Sequence, residues 1–110
     1  MQKVSEFLIE AKKVIEDPTR WTTEAYAKDE NGNTIDPCHE NASCFCSLGA
    51  LESLCRTPDI GVTDLWYNAR STLDTVMQRD VAGYNDNHTH EEVMQKWDEA
   101  INLAKAQESK

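Results

Sequence analysis

Apolar residues recur along this chain at spacings that alternate between helical runs and short breaks. Val4, Phe7, Leu8, Ala11, Val14 and Ile15 follow the i, i+3, i+4, i+7 rhythm of one helical face, with Glu6, Glu10, Lys12 and Lys13 on the other. That predicts a helix over residues 2–16, ended by Asp17-Pro18, because a residue before proline is pushed out of the helical region. Residues 20–28 (RWTTEAYAK) are rich in threonine and aromatics, which favour an extended chain. Asp29-Glu30-Asn31-Gly32 is a turn signal, and Asn33-Thr34-Ile35 supplies a short return strand. A lone hairpin is marginal, so it must pack on the helices.

After Asp36-Pro37 and a loop over 38–43, a second helix is expected to run to Cys55, capped by Asn41 or Ser43. Its apolar stripe is Cys44, Leu48, Leu51, Leu54 and Cys55. Gly49 inside it costs about 1 kcal/mol relative to alanine and marks a close approach of another backbone. Residues 57–61 read as a loop. Thr63 is expected to cap a third helix over 64–79, with Leu65, Trp66, Ala69, Leu73, Val76 and Met77 facing inward. Residues 81–88 read as a polar, glycine-containing connection. Thr89 and Glu92 form an S/T-x-x-E capping box that opens the last helix, whose buried face is Val93, Trp97, Ala100, Ile101 and Ala104. The tail from Gln107 is expected to fray. The predicted fold is mainly α: one domain over residues 1–110, with four helices and a β-hairpin inserted after the first.

Length and composition change the picture little: 110 residues with 39% hydrophobic content suffice for one core. Charge changes it more. Eleven basic and twenty acidic residues give a net charge of −9. This argues against direct binding to nucleic acid or to an anionic membrane, both of which call for a basic surface. The acids are spread along the chain, as on a solvated surface that keeps a protein dissolved. Met1-Gln2-Lys3 leads into an amphipathic segment and not an unbroken apolar one, which predicts a cytoplasmic protein whose four cysteines are thiols.

Four constellations carry candidate chemistry. Cys38, His39, Cys44 and Cys46, with Cys55, His88 and His90 further on, offer zinc-ligand types, but C-x5-C and C-x-C are not the spacings of the common structural sites. No metal and no cofactor is therefore expected. Cys46 with His90 and Asp86 or Asn85 offers a thiolate, a base and an orienter, and Cys46 near a helix N-terminus is expected to have a lowered pKa. Trp21, Tyr26, Trp66, Tyr67 and Tyr84 are amphipathic aromatics that, with Cys46, Asn85, Asp86 and His90, offer walls and polar groups for a small ligand. Trp66 and Trp97 also fall on core stripes, where packing accounts for them. Met77, Met94 and Leu103 lie at stripe edges and offer an apolar strip for a homodimer or another protein.

Three stretches, taken in order, resemble a family of small bacterial and phage domains of unknown function. They are Trp21-Thr22-x-x-Ala25-x-Ala27-x-Asp29-x-x-Gly32, Cys46-Ser47-Leu48-Gly49-Ala50-Leu51, and Asn85-Asp86-x-x-Thr89-His90-x-Glu92-Val93. The resemblance spans roughly residues 5–105. It places Cys46, Asn85, Asp86 and His90 inside the pattern, and Cys38, Cys44, Cys55 and His88 outside it. By analogy with phage proteins it implies interaction rather than metabolism. The leading expectation is a non-enzymatic acidic binding protein of anti-defence type, which occupies a host protein or sequesters a small nucleotide-like ligand. The alternative is a small metal- or thiol-dependent enzyme using Cys46 and His90.

Overall fold

The computed structural model describes residues 3–54 and 60–109, those at 60–64 by backbone only. The first helix, α1 (Val4–Ile15), forms where the apolar rhythm places it. Phe7, Leu8, Ala11 and Ile15 are buried, and the Glu6 carboxylate accepts from the Lys3 N–H at 3.0 Å. A 3-10 turn at Pro18–Arg20 follows, capped by Asp17, whose Oδ1 accepts from the Thr19 N–H at 2.9 Å.

The hairpin takes a different form from the one expected. The extended segment narrows to β1 (Ala27–Lys28), and its sheet partner is β2 (Cys44–Phe45), antiparallel, with Ala27 opposite Phe45. The 33–35 segment does fold back over the Asn31-Gly32 turn, but it meets β1 only in an isolated bridge between Lys28 and Thr34. The reason is burial. Phe45 is 4% exposed and Ala27 0%, so pairing these two puts both side chains in the core, whereas Asn33 and Thr34 stay exposed.

This pairing relocates the second helix. Cys44 belongs to a strand, and α2 (Ser47–Ser53) is capped by Cys46, whose sulfur accepts from the Gly49 N–H at 3.3 Å; neither Asn41 nor Ser43 caps it. Gly49 is the close-approach point that the sequence suggested: a Cβ there would meet the Tyr26 carbonyl oxygen at 1.8 Å. The predicted place of Cys55 and residues 57–59 of the predicted loop lie outside the described residues. Residues 60 and 61 are already helical, since α3 runs Ile60–Met77 and Thr63 falls inside it. Gln78, at φ +59°, turns the chain out of the helix.

The 81–88 connection is a fifth helix, α4 (Val81–Asn87), so the described residues hold five helices and not four. Asp80 caps it by accepting from the Gly83 N–H at 3.0 Å, and Asp74 Oδ1 of α3 accepts from the Val81 N–H at 3.0 Å. Val81, Tyr84 and Asn85, at i, i+3 and i+4, turn inward. The last helix, α5 (His90–Glu108), opens with the expected box: the Glu92 N–H donates to Thr89 Oγ1 at 3.2 Å, and the Thr89 N–H donates to Glu92 Oε1 at 2.9 Å. It stays helical as far as Glu108, within the tail expected to fray, and there Glu108 accepts from the Ser5 N–H at 3.0 Å and the Ser5 hydroxyl at 2.6 Å, a tie to α1.

The core lies where α1, α2, α3 and α5 meet. Trp97, Phe7, Leu8, Ile15, Leu48, Leu51, Leu73 and Val93 are all at most 2% exposed. Each large apolar side chain so buried contributes roughly 1.5–3 kcal/mol. Among the described residues, no helix is long and apolar enough to cross a membrane.

Candidate functional site

One buried side chain of α4 bonds to several segments of the first half of the chain. Asn85, on the inward face of α4, is completely buried. Its Oδ1 accepts from Trp21 Nε1 at 2.8 Å, the Ser47 N–H at 3.0 Å and the Ser47 hydroxyl at 2.9 Å. Its Nδ2 donates to the Thr22 carbonyl at 3.0 Å and to Asp86 Oδ1 at 3.3 Å. Ser47 Oγ in turn accepts from Trp97 Nε1 at 3.0 Å. One amide thus joins the Trp21–Thr22 segment and the first residue of α2, and reaches α5 through Ser47. Both of its polar atoms are in use, and among the described residues no buried side-chain nitrogen or oxygen lacks a partner.

Asp86 stands on the exposed side of the same turn. Its Oδ1 also accepts from the Glu24 N–H at 2.9 Å, which pins Glu24 at φ +66°. A non-glycine residue there is strained by roughly 1 kcal/mol or more, so the carboxylate holds the segment in a conformation it would otherwise leave. His90 closes the group from the other side. Its Nε2 lies 2.7 Å from the Ile15 carbonyl, and its ring meets that of Trp21 edge-on, with centroids 5.5 Å apart.

Cys46 sits beside this network at 3% exposure. A thiol at a helix start is expected to be acidified, but burial pushes the Cys46 thiol up, and the Asp86 charge adds to that; the Gly49 and Leu48 N–H groups pull the other way and are outweighed. The expected lowered thiol pKa is therefore reversed. The thiol expectation also fails at Cys38, which is disulfide-bonded, while Cys44 and Cys46 are free.

The remaining residues with candidate roles are placed as follows. Tyr84 is buried and stacks on His88, centroids 3.7 Å apart and rings 7° from parallel, while His88 Nδ1 lies 2.9 Å from the Tyr84 carbonyl. Tyr26 reaches the cluster through its backbone, its carbonyl accepting from the Cys46 N–H at 3.1 Å; the residue itself is 44% exposed. Trp21, Cys46, Asn85, Asp86 and His90 are thus brought together, with Tyr84 on the same short helix. Among the described residues, no three His, Cys, Asp or Glu side chains converge as metal ligands. Three grooves among the described residues open elsewhere: one between the 3-10 turn and residues 29–31 and 40–43, and two flanking α5.

Sequence reasoning missed Ser47 and Thr22 as members of the network. Both lie within the stretches that carry the resemblance, Ser47 in Cys46–Leu51 and Thr22 beside Trp21, so a signal existed; that Thr22 takes part through its backbone carbonyl was not in it. It also placed Trp66 on a core stripe, counted Tyr67 only among the aromatics of a ligand pocket, and passed over Arg70. Trp66 is only half-buried, Tyr67 is 62% exposed, and the two rings meet edge-to-face at 5.2 Å. The Arg70 guanidinium lies over the Trp66 ring, 5.5 Å from its centroid. Behind Arg70, burial pushes the Glu52 carboxyl up and nearby Asp36 adds to that, while Arg70 opposes both.

Residues 1–103 match the profile of a family described as "Family of unknown function (DUF6197)", and the chain belongs to that family. No curated protein and no solved structure matches the chain.

Proposed function

We propose that this member of the family is a non-catalytic binding domain that recognises a partner protein through the Trp66–Tyr67–Arg70 face of α3. The observation that carries this reading is the edge-to-face pair of half-buried Trp66 and exposed Tyr67, with Arg70 laid over the Trp66 ring. Trp, Tyr and Arg dominate the energetics of protein interfaces, and aromatics lose little conformational entropy when covered. Among the described residues, Tyr67 is the most exposed large hydrophobic side chain. The net charge of −9 favours a partner with a basic face, whose encounter is then quickened at low salt.

The cluster around Asn85 supports the same reading from the opposite direction. A ligand there would have to displace Trp21, Ser47 and Thr22 from Asn85, and a reaction at Cys46 would need a thiol that is buried and held protonated. The small-ligand and thiol-enzyme readings therefore draw less support than the protein-binding one.

The test is comparative cross-linking in cells with wild type, Tyr67→Ala/Arg70→Ala and Asp86→Ala, together with native mass spectrometry of each purified protein. The expected result is one partner captured by wild type and Asp86→Ala and lost in the double variant. A small molecule retained by wild type and lost in Asp86→Ala would overturn the proposal in favour of the ligand reading.

A further inference from the structure

We propose that Asn31–Gly32 is a self-modifying site, at which the Asn31 side chain converts to aspartate and isoaspartate, and that Asp29 sets the pace. Of the seven asparagines in the chain, Asn31 alone is followed by glycine. The chemistry is intramolecular. The Gly32 backbone nitrogen, once deprotonated, attacks Asn31 Cγ, and the side-chain amide leaves as ammonia, which forms a five-membered succinimide. Water then opens the ring. Breaking the bond from nitrogen to Cγ gives aspartate; breaking the bond to the Asn31 carbonyl carbon gives isoaspartate, with the chain rerouted through Cβ. The net change is amide plus water to carboxylate plus ammonium, without oxidation or reduction.

The turn supplies what this needs. Asn31 and Gly32 are exposed, and Gly32 sits at φ +85° with nothing within 4 Å of where a Cβ would be. The residue that the turn requires for its left-handed backbone also leaves the nucleophilic nitrogen unshielded. The turn supplies the brake as well. The Gly32 N–H donates to the Asp29 carbonyl at 3.0 Å, so the nitrogen must leave that bond before it can attack. Asp29 Oδ1 accepts from both the Asn31 and Asn33 N–H groups at 2.9 Å, which fixes the Asn31 backbone, and its negative charge opposes deprotonation close by. Asn85 shows the contrast: its amide is buried and bonded on both atoms, and its neighbour Asp86 carries a bulky side chain.

The product alters the surface. An isoaspartyl link lengthens the backbone inside a turn closed by the Asp29 N–H to Asn33 carbonyl bond of 2.9 Å, and so strains the Lys28–Thr34 bridge. It also adds a carboxylate to the groove that Arg20, Asp29 and Glu40 line.

The experiment is timed incubation of folded wild type, Asp29→Ala, Asp29→Asn and Asn31→Gln at neutral pH and physiological temperature. Peptide mass spectrometry then separates the Asn, Asp and isoAsp forms, with circular dichroism to confirm folding. Conversion confined to Asn31 in wild type, several-fold faster in Asp29→Ala, faster at higher pH and absent in Asn31→Gln is the expected result. Should Asp29→Ala fail to fold, Asp29→Asn, which keeps an acceptor and loses the charge, is expected to convert faster than wild type. The proposal is overturned if folded wild type leaves Asn31 intact while the denatured chain converts it. It is equally overturned if the folded Asp29 variants convert no faster than wild type.

Discussion

Replacing Asn85 by alanine removes one amide and leaves the Trp21 indole N–H and the Ser47 backbone N–H without the acceptor they share. A buried donor left unpaired costs about 1–3 kcal/mol, so Asn85→Ala is expected to lose about 3 kcal/mol or more, read as a lower urea midpoint at unchanged m. Asn85→Asp is not a rescue. It keeps the acceptor but loses the bond to the Thr22 carbonyl and sets a second carboxylate against Asp86. A loss below about 0.5 kcal/mol for Asn85→Ala would mean that the amide is not the joint described here. Cys46 makes a second residue-scale prediction. Because its thiol is buried and its pKa raised, iodoacetamide is expected to leave Cys46 unmodified in the folded protein and to label it on denaturation, as site-resolved mass spectrometry will report. Fast labelling of folded protein at Cys46 would instead revive a thiol nucleophile.

The short elements behave differently from the long ones, and so does their legibility. In α4 the Asp80 cap holds the first turn, and Asp80→Ala is expected to cost about 1 kcal/mol in denaturant unfolding. Gly49→Ala is expected to cost more, about 2–3 kcal/mol, because the added methyl meets the Tyr26 backbone, which cannot rotate away as a side chain would. A wild-type midpoint for Gly49→Ala would show that the Tyr26 backbone does not lie against α2. The helices α1 and α5 were readable because many residues repeat one apolar rhythm and, in α5, a capping box marks the start. α4 was not. It is two turns long, contains Gly83, Asn85 and Asn87, and holds its shape through Asp74 and Asp80 contacts that no local periodicity reports. β2 was hidden for the same reason: Cys44–Phe45 is extended because Phe45 finds Ala27, a partner distant in sequence. The candidate residues Trp21, Cys46, Asn85, Asp86 and His90 could be named from the pattern. That Asn85 spends both its polar atoms on Trp21, Ser47, Thr22 and Asp86 required the tertiary arrangement.

At the scale of the whole molecule, charge decides how stability responds to pH. Thr19, Thr89 and Ser5 hydrogen bonds hold the carboxyls of Asp17, Glu92 and Glu108 below their ordinary values. Groups lowered on folding contribute stability that is present above the ordinary carboxylate range and lost as pH falls through their folded values. Glu52 runs the other way: raised by burial, its contribution shrinks as pH rises past 4.5. At the alkaline end, the Asp98 hydrogen bond raises Lys12, and burial raises Cys46, so both contributions fade as pH climbs past 9.0 for the thiol and 10.5 for the amine. Three lowered carboxyls against one raised predict a net loss on the acid side, and the two raised groups predict a loss on the alkaline side. Urea unfolding across pH is therefore expected to give a plateau around neutrality with falling edges, the acid edge becoming shallower in Glu92→Gln and in Glu108→Gln. At neutral pH the net charge of −9 repels itself across the surface, so added salt is expected to raise the midpoint by screening that repulsion. A midpoint that falls with salt would place ion pairs such as Lys12–Asp98, at 2.8 Å, above self-repulsion in the balance. A stability that rises steadily into acid would show that the three capped carboxyls do not govern the acid response.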